Sequence, residues 1–147
     1  MKAFLINPRH CSITEVEYDD SMQAIYEYID ATLMDTVLLN EDRDVAYVDD
    51  EGLYHTAFFW KFRDFPNPIA GNGLVLGTNA AGESISPVSE TMETLEASVT
   101  FISRETAISM AEAADNVGKQ WAEKSDSNIF MSAADIIKDQ EYSGGSD

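Results

Sequence analysis

The sequence predicts an α+β domain, a mainly antiparallel sheet with helices packed against it. Three observations lead there. Short apolar runs, several alternating with polar residues, recur through the first hundred residues between turn-rich stretches such as NEDRD and DDEG. Stretches with helical spacing interrupt that series, and a longer one follows it. A chain of 147 residues, 44% hydrophobic and 10% aromatic, suits one domain with a real core.

The elements follow in order. Lys2 to Asn7 (KAFLIN) reads as a buried strand stopped by Pro8. Ser12 to Tyr18 alternates Ile13, Val16 and Tyr18 with polar residues, so it reads as a second strand hairpinned to the first. Asp20 is the expected N-cap of a helix over 21–31, with Gln23 completing a capping box. Met22, Ile25, Tyr26 and Ile29 form its inward stripe, and Glu27 and Asp30 lie on the outer face. Strands are expected over 36–39, 45–48 and 53–60, then a loop FPNPIAGNG and a strand LVLGT. Ser89 is the expected cap of a short helix to about Ala97, before a last strand SVTFIS. A longer helix over 104–123 carries a mostly small stripe of Ile108, Ala111, Ala114, Val117 or Gly118, and Trp121. Ser132 with Asp135 resembles a further cap. The expected organisation is a core domain over 1–103, a helical extension over 104–140 and a disordered tail over 141–147.

Charge is the outlier. Nine Lys and Arg stand against 27 Asp and Glu, a net of −18. Residues 15–51 alone hold 13 acids and one base, Arg43, which is two-thirds of that net charge. Such a surface repels nucleic acid and anionic lipid, so direct binding to either is not expected. The single cysteine, Cys11, cannot form an intramolecular disulfide and implies a reducing, cytoplasmic setting. No apolar run approaches the roughly 18 residues of a membrane span, and the N-terminus lacks a signal-peptide pattern.

The chemistry-bearing motifs are weak. The stretch Asn67 to Thr78, NPIAGNGLVLGT, holds three glycines. It lacks the Lys and Ser or Thr of a phosphate-binding loop, and its third glycine is one residue too late for a dinucleotide fingerprint. Asn72-Gly73 suits a tight turn instead. Setting Gly52 at the sixth position of a calcium loop puts Tyr47 at the first, where an acid is needed. No metal site or cofactor is expected. His10 beside Cys11 has no visible third partner, and 27 acids are too many for any carboxylate pair to be diagnostic. No catalytic residue is assigned, and an enzyme is not expected. The run Phe58-Phe59-Trp60-Lys61-Phe62-Arg63 offers two readings. It is either a base-stacking platform or a central strand covered on both faces. In the first reading Phe59, Trp60, Lys61, Arg63, Asn72 and Gly73 would border a small-ligand, nucleotide-type pocket.

The order KAFLINP, ITEVE, YVDDEGL, NPIAGNGLVLGT and VTFI resembles the domain-of-unknown-function 3846 family over about residues 1–103. The resemblance implies a phage or mobile-element origin and supplies no catalytic residues. The acidity has two readings: it serves only solubility or a high-salt habitat, or it serves binding. Charge and setting together lead to the second as the expectation. The chain would act as an acidic inhibitor of a basic, nucleic-acid-binding host defence protein, of restriction or CRISPR type, by protein–protein binding and DNA mimicry. The expected partner-binding acids are Asp19, Asp20, Glu27, Asp30, Glu41, Asp42, Asp44, Asp49, Asp50 and Glu51.

Overall fold

The computed structural model describes residues 1–63, 65–124 and 136–138. Strand β1 (Lys2–Asn7) sends Phe4 and Ile6 to one face and Ala3 to the other. It pairs antiparallel with β2 (Ser12–Glu17), Lys2 opposite Glu17 and Asn7 opposite Ser12.

Helix α1 (Met22–Ile29) starts one residue later than the sequence suggests. Its cap is Ser21, whose Oγ accepts the Ala24 N–H at 3.1 Å. Asp19 decides this. Its Oδ1 accepts both the Ser21 N–H, at 3.1 Å, and the Ser21 hydroxyl, at 2.7 Å. Ser21 is thereby held extended, while Asp20 takes the left-handed conformation, φ 65°. Gln23 donates to Glu27 and closes no capping box. Ile25 and Ile29 are buried as expected, but Met22, at the helix start, is 59% exposed.

Strands β3 (Met34–Leu38) and β4 (Val45–Asp49) form the next hairpin. The single strand expected over 53–60 is two elements, a helical turn α2 (Gly52–His55) and β5 (Phe59–Phe62). Gly52 explains the break. A Cβ there would lie 2.7 Å from the Ala70 carbonyl oxygen, so only glycine lets the chain turn in against its neighbour. Within the expected loop, Ile69–Ala70 forms a short strand β6. Strand β7 (Gly73–Thr78) continues into a small hairpin with β8 (Ser84–Ile85). Helix α3 (Met92–Ser98) is capped by Thr91 in a box with Thr94, and not by Ser89. Strand β9 (Val99–Ile102) and helix α4 (Arg104–Lys124) follow. The side chains of the expected stripe beyond Ala114, and the whole of the expected Ser132–Asp135 cap and the tail over 141–147, lie outside what the structure describes.

The strands make two sheets. The larger runs β2-β1-β7-β4-β3, with β8 on β7; the smaller runs β6-β5-β9; all pairings are antiparallel. Three cores set the layers. Ile25 and Ile29 of α1 pack on Ala3, Leu74 and Leu76 on one face of the large sheet. Phe4, Ile6, Ala46 and Val75 on its other face meet Trp60, Phe62 and Ile69 of the small sheet, with Leu95 of α3. Phe59 and Ala70, on the far face of the small sheet, meet Ala107 and Ala111 of α4 and Ile137. The result is a helix–sheet–sheet–helix α+β domain. The central-strand reading of the aromatic run holds. Strand β5 lies between two layers, so Phe59 and Trp60 are 1% and 0% exposed.

Candidate functional site

Strand direction sorts the acids. Strands β1 and β4 run parallel to each other through the intervening β7. Their C-terminal ends therefore share one end of the large sheet, with the Pro8 turn, Asp49–Glu51 and the start of β7. Asp19, Asp20 and the Asn40–Asp44 turn lie at the opposite end. The two ends are about 20 Å apart, from six residues at roughly 3.3 Å each. Helix α1 starts at the second end and finishes at the first, with Asp30 at its left-handed C-cap, φ 54°.

Shallow hollows link the acids along this helix. Glu17, Asp19 and Glu27 border one, and Glu27 and Asp30 border the next. Asp30 and Asp49 share a larger cleft, and Asp49, Asp50 and Asp35 border a groove. Each hollow shares an acid with its neighbour, so Glu17, Asp19, Glu27, Asp30, Asp49 and Asp50 follow one another as a run, with Glu17 paired to the N-terminal ammonium at 3.4 Å and Arg9 lying in the cleft between Asp30 and Asp49. Asp20 and Glu51 are exposed beside it. The Ser21 hydroxyl and N–H hold the Asp19 carboxyl below its ordinary pKa, so this end of the run is firmly ionised. Glu17 and Asp35 were not singled out from the sequence. Both sit in alternating strand segments, where only the fold shows which acids come together.

The expected set divides. Glu41 and Asp42 are exposed but lie in the β3–β4 turn, away from the run. Asp44 is not a surface acid: it is fully buried. Its carboxylate accepts the N–H groups of Val88, Ser89 and Glu90 at 2.7, 2.8 and 2.7 Å, and Asn40 Nδ2 at 3.0 Å. Burial raises its pKa, but the bonds from Val88, Asn40, Glu90 and Ser89 outweigh that, and the net shift is downward. Asn40 also reaches Glu90, which pairs with Arg63 at 3.0 Å. Asp44 is therefore a structural clasp between the β3–β4 turn and the strap before α3.

The nucleotide-type pocket expected around the aromatic strand does not form as drawn. Phe59 and Trp60 are core, and Trp60 Nε1 donates to the Gly71 carbonyl at 2.9 Å. A Cβ on Gly73 would lie 2.7 Å from the Trp60 ring, so that glycine makes room for the indole and cradles no phosphate. Arg63 is held by Glu90, Leu39 and Ser98, and half-buried Lys61 lies on β5 opposite Thr100. Of that set only Asn72 reaches the larger cleft, a cavity of about 470 Å³. Asn7, Arg9, Asp30, Asp49, Thr56 and Phe58 also line it, with the Arg9 guanidinium 4.9 Å from the Phe58 ring centre. His10 and Cys11 lie in the exposed β1–β2 turn. Among the described residues, no three His, Cys, Asp or Glu side chains are placed to hold a metal ion, and no helix is long and apolar enough to cross a membrane.

A family model for a domain of unknown function, DUF3846, matches residues 1–100. The chain belongs to this family. No curated protein and no solved structure matches it. The DUF3846 region holds every acid of the run and both sheets up to the middle of β9, while α4 follows it. Three separate stretches of the matched region meet at the cleft: Asn7 and Pro8, Asp49, and Gly71 and Asn72.

Proposed function

We propose that this DUF3846 protein is a non-catalytic binding protein that presents an anionic surface to a cationic groove, as found on nucleic-acid-binding proteins. The acid run along α1 to Asp50 carries this reading. Its carboxylates reach from one end of the large sheet to the other, about 20 Å, so several can meet a basic groove at once, as successive phosphates of a nucleic acid do. Helix and strand ends set where their backbones lie, which lowers the ordering cost of docking. Such a surface also steers association, raising on-rates by about 10–10³. In a phage or mobile-element setting the natural target is a host defence factor, and the effect is inhibition by exclusion of DNA or RNA.

Two charge-matched variants test this. One converts Glu27, Asp30, Asp49 and Asp50 to amides. The other converts Glu41, Glu93, Glu96 and Glu105, which lie away from the run. Partners captured from a bacterial lysate are then challenged with duplex DNA. The reading expects the first variant to lose a DNA-competing partner and the second to keep it. Equal losses would reduce the effect to bulk charge and refute a specific surface.

A second reading rests on the cleft. Its volume falls within the roughly 300–1,000 Å³ of small-molecule pockets. Asp30 and Asp49 oppose a phosphorylated ligand there and favour a neutral or cationic one stacked beside Arg9 and Phe58. A thermal shift with a nucleoside or polyamine, abolished by Phe58→Ala, supports it. No shift across both panels removes it.

A further inference from the structure

The two sheets end on the same side of the sandwich. Strand β3 is the edge of the large sheet and β6 the edge of the small one. Between them opens a groove of about 190 Å³. Val37 of β3, Ile69 of β6 and Leu53 of α2 line it, and Phe65 at its margin is 38% exposed. This is the inner face of the sandwich reaching water, an arrangement that favours a cover in proportion to the apolar area. Asp35, Asp49 and Asp50 border the same groove.

Three observations choose the occupant. The volume lies below the range of small-molecule pockets, about 300–1,000 Å³, and suits one or two side chains. The carboxylates call for cationic neighbours. A second copy of this chain is disfavoured, because each copy carries −18. The edge also says how the occupant docks. The Leu39 N–H bonds to the Asp44 carbonyl, so the β3–β4 register turns the Thr36 amide outward. Asp35 Oδ1 already accepts that N–H at 2.8 Å, which blunts β3 as a template for strand addition. Docking is therefore through side chains.

We propose that this mouth seats one apolar side chain of the cationic partner, flanked by Lys or Arg that meet Asp35 and Asp50. The proposal rests on the cationic-partner reading and adds an apolar anchor to it. Selection of a random heptapeptide library on the full chain tests it. The expected winners place Leu, Ile, Met or Phe within two residues of Lys or Arg. Replacing that apolar residue with Ser, or Phe65 with Ser, is expected to weaken a selected peptide by about tenfold. Asp35→Asn with Asp50→Asn should flatten its salt dependence. Amide shifts of the wild-type protein on titration are expected at Val37, Leu53 and Ile69, which decides the matter should Phe65→Ser misfold. Basic winners with no apolar preference and no shifts in the groove would overturn the anchor and leave the cationic reading standing. An empty selection would likewise overturn the anchor, and apolar winners without cations would overturn its cationic flanks at Asp35 and Asp50.

Discussion

Asp44→Ala removes a carboxylate that accepts three backbone N–H groups and one side-chain amide. None of the lost bonds can be replaced by bulk water without opening the strap, because Asp44 is fully buried. Hydrogen bonds to a charged group contribute about 1.5–3 kcal/mol each, and each orphaned buried donor costs about 1–3 kcal/mol. The terms overlap, and the strap can relax, so the net expectation is about 3–5 kcal/mol, the range for breaking a buried charged network. For a domain of this size that lowers Tm by roughly 10–15 °C, at about 3 °C per kcal/mol. Asp44→Asn keeps one acceptor but turns an NH₂ towards backbone donors, so it should cost more than half as much. Urea denaturation followed by circular dichroism measures both. A change below about 0.5 kcal/mol in Asp44→Asn would refute the clasp.

Three further outcomes are expected. Because the folded pKa of Asp44 lies below its unfolded value near 3.8, the clasp contributes fully above that pH and its contribution is lost as pH falls through the folded value; acid titration of the wild type should show this loss below about pH 4, and Asp44→Asn should lack it. Ser21→Ala should cost about 1 kcal/mol through loss of the α1 cap, and a denaturation curve superimposable on the wild type would show that Ser21 does not cap this helix. Gly73→Ala should cost about 1–3 kcal/mol and change tryptophan fluorescence, since the new methyl meets Trp60; a neutral result would show that the indole can yield.

Local pattern carried most of the fold. The strand at KAFLIN, the hairpin that follows and the long helix from Arg104 are legible because alternation and helical spacing report burial directly. The failures have nonlocal causes. LYHTAFFW has a strand-like composition throughout, yet close packing of Gly52 on Ala70 bends its first half into a helical turn. Asp20 and Ser21 are both good caps, and the choice turns on the Asp19 side chain. Asp44 sits in EDRD, which reads as a solvated turn; its three backbone donors lie 44 to 46 residues away. The acid run was half visible. The excess of carboxylates over 15–51 is plain in the sequence, but only strand direction separates Asp49 and Asp50 from Glu41 and Asp42. The groove between β3 and β6 was not visible at all, because β6 is two residues inside a proline-rich loop.

The most direct test of the account is the association rate of the captured partner as a function of ionic strength. It is compared between the wild type and the variant neutralised at Glu27, Asp30, Asp49 and Asp50. Expected is a rate that falls steeply with salt for the wild type and is slower, with a much shallower dependence, for the variant. Superimposable salt profiles for the two proteins would contradict it.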